Sequence, residues 1–275
     1  MRFHPSRAAL IAALPLLALS ACRRGRAPET QPAPEPAPVA VEAPAPRFRT
    51  GTEVVDAMRD RYAGKWYTTL TFKQKTSRLL PSGKWNVQTW WEAMKLPGRL
   101  RIDFDPVRAG NGVLYARDSQ FVVQNGRALR GDPGINPLLL LGFDVYTAPV
   151  SYTTTRLRRE GFDLTRVHET TFQNRPVIVV GARKGDFNRK QFWVDAERML
   201  LLRLLWAQPA GARTVVTDYH VTYQDVGGFP VPQEIVIHRN GRPYLRERYA
   251  EVRPNAPLEP SLFDPAQWAR GAPAR

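Results

Sequence analysis

The sequence predicts a mainly β protein with helices. We expect a single curved antiparallel sheet of about ten or eleven strands, a half-barrel whose concave face is covered by an N-terminal helix and a short lid. Apolar and polar residues alternate from Trp66 onward, which is the period of a strand with one buried face. Turn signals such as Pro81-Ser82-Gly83 and Asn125-Gly126 separate the alternating segments. Long antiparallel sheets curl, and the apolar sides of helices must cover one of their faces.

The N-terminal helix is predicted just after residue 50. Thr50 and Glu53 have the spacing of a capping box, in which each side chain bonds a free backbone N–H of the first turn. The apolar residues that follow fall on one helical face, and they are Val54, Val55, Met58 and Tyr62.

Three strands follow in the first third of the domain. In the first, Leu70 and Phe72 face one way and Lys73 faces the other. In the second, alternate positions that end at Trp91 and Ala93 share a face. In the third, one face carries Leu100, Ile102 and Phe104. Further strands are predicted between residues 112 and 254, with turns at the Asn-Gly and Gly-Gly pairs.

A run of four leucines, Leu138–Leu141, interrupts the strands. Pro137 and Gly142 flank it, so it is too short for a long helix, and it is too uniform for a half-exposed strand. We interpret it as a short helical lid.

The chain divides into three segments. Residues 1–21 have a basic start and a short apolar centre and are interpreted as a lipoprotein signal peptide. Leu19-Ser20-Ala21-Cys22 is similar to a bacterial lipobox, so Cys22 is the expected lipidation site, with palmitate among its acyl chains. Residues 22–47 form a Pro/Ala-rich linker, and residues 48–270 form the folded domain. Arg23 follows the cysteine, and by resemblance to enteric lipoproteins this favours the outer membrane, facing the periplasm, over the inner membrane.

The charge is strongly basic, with 40 Lys and Arg against 25 Asp and Glu, a net +15. Basic and acidic residues are interspersed along the chain, so we expect no nucleic-acid partner. Solubility, or contact with anionic lipid surfaces, is a simpler role for this charge.

The motifs of enzymes and metal sites are missing from the sequence. There is no HExxH, CxxC, GxSxG or phosphate-loop pattern, and His168, His220 and His238 are well separated in sequence. His220 and His238 could lie on neighbouring strands, but we do not expect them to form a metal pair. Asp103 and Asp105 are interpreted as a solvated strand edge beside arginines. We therefore expect no catalytic residues, no metal and no cofactor; a hydrolase whose residues converge only in space is a distant alternative.

The sequence instead has a surplus of apolar side chains on both faces of its strands. Tryptophans and leucines occur at consecutive positions, as in Trp90-Trp91 and Leu200–Leu202. One interpretation is a well-filled core with helices over the second face. The other is an apolar pocket inside the curved sheet, closed by the leucine run, that takes acyl chains.

Segments in a particular order resemble a known family. They are FKQK at 72–75, MKLPGRLRIDF at 94–104, NGVLYARDSQFVVQN at 111–125, NPLLLLGFDVY at 136–146, RPVIVVGA at 175–182, QFWVD at 191–195, VTYQDVGGFPVPQEI at 221–235 and SLFDP at 261–265. Together they resemble the LolA/LolB family of periplasmic lipoprotein carriers and outer-membrane acceptors, over most of residues 50–265. The resemblance implies an open half-barrel of about eleven strands with helices as a lid over an acyl-binding cavity.

The sequence departs from the family pattern at one position, and the resemblance implies a function. Carriers have an Arg before the proline of the early turn, where this sequence has Leu96, so an Arg-fastened lid is not expected. The expected function is an envelope lipoprotein that binds acyl chains of a lipoprotein or lipid, for transport or insertion at the outer membrane. We expect a monomer held at the membrane by its lipid anchor. The alternative is an RseB-like sensing module that binds an envelope protein.

Two sets of site residues follow from this hypothesis. The expected cavity wall is Leu70, Phe72, Trp91, Ile102, Phe104, Leu139, Leu140, Trp193 and Leu204. Leu79 and Leu80 lie in a hairpin loop comparable to the membrane-insertion loop of the acceptors, so they are a candidate insertion loop.

Overall fold

The N-terminal helix forms where the capping box predicts it. The structure, a computed structural model, describes residues 47–269. Helix α1 spans Gly51–Arg61, and the Thr50 side chain accepts a hydrogen bond from the backbone N–H of Glu53 at 3.3 Å. The Glu53 carboxylate accepts in return from the N–H of Thr50 at 3.4 Å, and also from that of Arg49 at 2.7 Å. The helix buries Val54, Val55 and Met58.

Strands make up most of the remaining chain. The first seven are β1 Thr69–Leu79, β2 Trp85–Lys95, β3 Arg99–Phe104, β4 Gly112–Ala116, β5 Ser119–Gln124, β6 Arg127–Ala128 and β7 Asp132–Pro133. Two helices follow, α2 Pro137–Gly142 and α3 Val150–Arg159. The last seven strands are β8 Val167–Phe172, β9 Arg175–Val180, β10 Gln191–Asp195, β11 Leu201–Ala210, β12 Arg213–Val226, β13 Phe229–Arg239 and β14 Arg242–Pro254.

All of these strands belong to one open antiparallel sheet. Its order is β6-β5-β4-β3-β2-β1-β14-β13-β12-β11-β10-β9-β8, with β7 paired to β5. The pairing of β1 with β14 therefore joins two meanders, one from each half of the chain. The predicted fold class is confirmed: a mainly β protein with one curved sheet that does not close into a barrel. The sheet has 14 strands, more than the ten or eleven predicted, partly because it includes β6 and β7, which have only two residues each.

Helix α3 was not predicted. Its sequence, VSYTTTRLRR, contains a β-branched valine and three threonines, which favour strands when judged alone. Tertiary packing outweighs this preference, because the helix buries Thr153, Thr154 and Leu157. No helix within residues 47–269 has the length and hydropathy needed to cross a membrane.

The two faces of the sheet carry different cores. The concave face and the helices share the main core, which includes α1, α2 and the inward residues of most strands. The convex face has two smaller clusters. One is covered by the C-terminal tail and contains Leu114, Val123, Leu262, Phe263 and Trp268. The other contains Val177, Val179, Trp193, Leu202 and Leu205.

The expected solvated edge at Asp103 is wrong. Arg101 and Asp103 lie on the convex face and are 2 % and 3 % exposed. The Arg101 guanidinium donates two hydrogen bonds to the Asp103 carboxylate, at 2.8 and 2.9 Å, and lies 3.8 Å from the ring centre of Trp268. The C-terminal tail folds over these side chains, and strand alternation alone gives no signal of that cover.

Candidate functional site

A narrow cavity lies between α2 and the concave face of β1, β2, β3 and β14. It has a volume of about 60 Å³. The lining residues are mainly apolar and aromatic with a few polar groups: Gln74, Trp90, Glu92, Met94, Leu100, Ile102, Asn136, Leu138, Leu139, Phe143, Glu247 and Tyr249. This composition is typical of a site for an apolar ligand with a few polar contacts.

Helix α2 forms the roof of the cavity, as the leucine run predicts. The Asn136 side chain caps its start by accepting hydrogen bonds from the N–H groups of Leu138 at 2.9 Å and Leu139 at 3.1 Å. Pro137 occupies the first turn, where its missing N–H costs nothing. The leucines point into the core, so the roof is held mostly by apolar contact.

Aromatic side chains form the floor. The ring of Phe72 on β1 stacks on that of Tyr249 on β14, with ring centres 4.0 Å apart. Trp90 on β2 and Phe104 on β3 are direct cross-strand partners, with ring centres 4.8 Å apart. Both pairs join neighbouring strands: Trp90 and Phe104 are in register, whereas Phe72 lies at an irregularity of the β1–β14 pairing, diagonal to Tyr249.

Two carboxyl groups interrupt the apolar lining. Glu92 is 4 % exposed and lies on β2 between its cross-strand partners Phe72 and Ile102. Burial raises its pKa well above the usual range, and the charge of Glu247 adds to this rise. Burial also raises the pKa of Glu247 to about 7. Neither carboxyl has a hydrogen-bond or ion-pair partner within residues 47–269.

The segment after α2 is fastened to the sheet at two points. The buried Asp144 carboxyl accepts a hydrogen bond from the N–H of Gly98, in the turn between β2 and β3, at 3.0 Å. Burial raises the pKa of Asp144 to about 7, although the bond from Gly98 lowers it. The Tyr146 hydroxyl accepts from the N–H of Leu201 at 3.0 Å. The turn that carries Leu96 is thus held to the lid segment through Asp144.

Seven of the nine expected wall residues lie on the concave side or in α2. They are Leu70, Phe72, Ile102, Phe104, Leu139, Leu140 and Leu204. Ile102 and Leu139 line the cavity itself. Leu70, Phe72, Leu140 and Leu204 are buried beside it in the same core.

Trp91 and Trp193 are on the wrong face for a cavity wall. Trp91 pairs with Lys73, whose ammonium lies 4.6 Å from the indole ring centre on the convex side. Trp193 packs in the convex cluster, with the Arg203 guanidinium 4.7 Å from its ring. Alternation along a strand defines two faces but does not say which is concave, and the neighbouring residues Trp90 and Phe192 occupy the inward positions.

The candidate insertion loop is at the tip of the β1–β2 hairpin. Leu79 is half-buried, and Leu80 is 37 % exposed. Trp85 and Val87 on β2 are more exposed, at 48 % and 52 %, and were not predicted to belong to this surface. We call these four residues the hairpin tip. Beside it, an open groove of about 430 Å³ is lined by Lys75, Ser77, Trp85, Val87, Arg246 and Arg248.

Sequence reasoning also missed the polar groups of the cavity. Glu92 has the strand phase of Trp90 and Met94, and this parity is the one signal that would have placed it inside. Glu247 and Tyr249 could not be placed without the β1–β14 pairing. Within residues 47–269, no three His, Cys, Asp or Glu side chains are grouped to hold a metal ion.

Solved structures of similar fold come from several bacteria. A LolA superfamily protein from Nitrosomonas europaea matches with a TM-score of 0.50 and 10 % identity, over 76 % of this chain and 97 % of that one. A domain named for outer membrane lipoprotein sorting, from Vibrio parahaemolyticus, matches with a TM-score of 0.53 and 12 % identity, over 80 % and 98 %. A DUF1329 family protein from Desulfovibrio piger matches with a TM-score of 0.51 and 14 % identity, over 78 % and 95 %.

These similarities confirm the predicted LolA-like resemblance at the level of the fold. No protein-family model matches the sequence, and the search of curated proteins gives no match. The fold is therefore shared, while the function must be argued from the site.

Proposed function

We propose that this protein binds an acyl chain of a lipid or lipoprotein between α2 and the concave face of the sheet, and passes it on without covalent chemistry. The observation that carries the proposal is the cavity beneath a short roof helix, which apolar, aromatic and a few polar side chains line. The similar structures support it, since one of them is named for lipoprotein sorting.

The closed cavity is too small for a whole acyl chain. A volume of about 60 Å³ has room for only a few water molecules. Uptake therefore requires α2 to move away from the sheet. Burying the chain offsets this cost, because each CH₂ group removed from water contributes about 0.8 kcal/mol.

Helix α2 is suited to such a movement. It has six residues, and most of its contacts are apolar and therefore non-directional. The chain beyond it is fixed by Tyr146, which lies against Trp66 with ring centres 4.0 Å apart. We infer that α2 swings about this fixed point when a chain enters.

We further propose that the protein works at the outer membrane. Cys22 and the linker lie outside the described residues, so the lipid anchor and its periplasmic orientation rest on the lipobox alone. The hairpin tip supports a membrane contact, because an exposed indole beside basic side chains suits a lipid–water interface.

Native mass spectrometry tests the proposed function. Residues 45–275, the compact unit that contains all described residues, would be expressed in a bacterial periplasm. A bound mass that extracts into organic solvent as an acyl lipid is the expected result. An unliganded mass after incubation with phospholipid and a triacylated peptide would contradict it.

The small volume of the cavity favours one alternative, a sensing or interaction module. In that case the concave face would be permanently filled, and the basic groove beside the hairpin tip would bind an acidic envelope protein. A stoichiometric protein partner, captured without any lipid, would favour this alternative.

A further inference from the structure

We propose that the cavity beneath α2 takes an amphiphile that carries a cationic amine, and that Glu92 binds this amine with added negative charge from Glu247. The inference rests on the proposed function, since it names the chemical class of ligand for the same cavity. It does not follow from an apolar pocket alone, which would accept any acyl chain.

Glu92 is buried at the wall of the cavity among apolar neighbours. Its side chain is 4 % exposed, lines the cavity, and has apolar cross-strand neighbours on both sides, Phe72 and Ile102. An ionised carboxylate in such surroundings is costly unless it is paired. Nearly all buried polar groups in proteins have a hydrogen-bond partner, so an unpartnered carboxyl at a cavity wall calls for an external one.

Among residues 47–269, the ionisable side chains that line the cavity include acidic groups and no basic ones. The described lining residues include two carboxyls and no Lys, Arg or His. Glu247 stands on β14, and β1 separates it from Glu92 on β2. The two groups are close enough for the charge of Glu247 to raise the pKa of Glu92. An ammonium group favours the ionised form of these carboxyls and pairs with it, whereas a fatty acid carboxylate or a phosphate gains no such ion pair here and repels either carboxyl once it is ionised.

Aromatic side chains line the same cavity as the two carboxyls. Trp90 and Tyr249 both line the cavity, and aromatic rings of this kind attract a cation that approaches a free ring face. An ammonium group next to Glu92 would therefore find ring faces and a carboxylate in one place. Ring faces with carboxylates are a usual way for proteins to recognise alkylammonium groups.

Burial favours the protonated form of both carboxyls when the cavity is empty. The pKa values of both carboxyls are raised, that of Glu247 to about 7. The other titratable groups that face them are Tyr115 on β4, Tyr219 on β12 and Tyr249 on β14. Helix α2 contributes leucines and Asn136, which do not titrate. An entering ammonium lowers the pKa values of both carboxyls, so binding releases protons and weakens as the pH falls.

The test uses three probes with the same apolar chain: decylammonium, decanol and decanoate. Isothermal titration at pH 8 is expected to show decylammonium binding at least about tenfold more tightly than decanoate, as for a charge-assisted contact. In Glu92→Gln the preference for decylammonium should fall by about tenfold while decanol binding is unchanged. Titrations at pH 7 in two buffers of different ionisation enthalpy should show proton release in the unsubstituted protein.

The controls separate this inference from the proposed function. Glu251→Gln removes a carboxyl on the same strand as Glu247, but one that is exposed and paired with Lys73 at 3.2 Å, so it should change nothing. Glu247→Gln is a second variant, which should weaken decylammonium binding less than Glu92→Gln does. Equal binding of all three probes, or an unchanged preference in Glu92→Gln, would overturn the inference and leave acyl binding intact. Failure of every probe to bind would overturn both proposals.

Discussion

Asp144 and Gly98 join the lid segment to the sheet: the Asp144 carboxyl, just beyond α2, accepts a hydrogen bond of 3.0 Å from the Gly98 N–H. This bond stands between the roof of the cavity and the β2–β3 turn. It gives the closed state a polar contact whose removal can be measured.

We expect Asp144→Ala to loosen the roof. The loss of the bond should reduce the free energy of unfolding by about 1–3 kcal/mol and raise amide hydrogen exchange in α2 more than in β12. Urea unfolding and hydrogen-exchange mass spectrometry would measure both effects. Equal exchange changes in α2 and β12 would show that Asp144 stabilises the domain as a whole.

Gly98→Ala should be destabilising for two separable reasons. Gly98 has φ +80°, and a Cβ there would lie 2.7 Å from the Tyr152 hydroxyl oxygen. The conformational cost alone is about 1 kcal/mol, and the close approach adds to it. In a Tyr152→Phe background the nearest ring carbon would be 4.0 Å away, so the cost of Gly98→Ala should fall toward the conformational part. A double-mutant cycle in urea tests this, and additive effects would contradict the contact.

The protein without ligand should become less stable as the pH rises from about 5 to 8. Burial raises the pKa values of Asp144 and Glu247 to about 7, well above the ordinary range of carboxyl groups. Over that interval the folded state binds more protons than the unfolded state, so a rise in pH favours unfolding. Melting temperatures across the range would show the slope, which Glu247→Gln should reduce and Glu251→Gln should not. A stability that rises toward pH 8 would contradict these assignments.

The buried ion pair on the convex face should matter for stability and not for binding. Asp103→Ala leaves the Arg101 guanidinium buried without its carboxylate, which costs about 3–5 kcal/mol. Replacing both residues together, as Arg101→Met with Asp103→Leu, should cost much less. Chemical unfolding would give the two values, and similar losses in both variants would exclude the unpaired charge as the cause. Ligand uptake by the folded fraction should be unchanged.

Much of the fold follows from local pattern. The capping box at Thr50 and Glu53, the leucine run of α2 and the alternating strands each depend on neighbours in sequence, and the structure has all three. Helix α3 does not follow, because its threonines form a helix only through tertiary burial.

The details of the site depend on contacts between distant segments. Trp91 and Trp193 were assigned to the cavity, but register and curvature turn them to the convex side. In the sequence, Glu92 does not differ from other polar residues of a strand. It is buried because β2 pairs with β1, and β1 in turn pairs with β14. Asp103 is hidden by a tail that lies more than 150 residues further along the chain. The alternation of side chains along a strand shows which residues share a face. What covers each face is known only once the sheet is assembled.

Two neighbouring tryptophans distinguish a binding site on the concave face from one on the convex face. Trp90 lines the cavity beneath α2, whereas Trp91 lies on the convex face over Lys73. The measurement is acyl-probe binding by native mass spectrometry for Trp90→Ala and Trp91→Ala, with folding of both checked by circular dichroism. If the binding site lies between α2 and the concave face, we expect Trp90→Ala to lose most of its bound probe and Trp91→Ala to keep it. Equal retention in both variants, or a loss confined to Trp91→Ala, would contradict a binding site between α2 and the concave face.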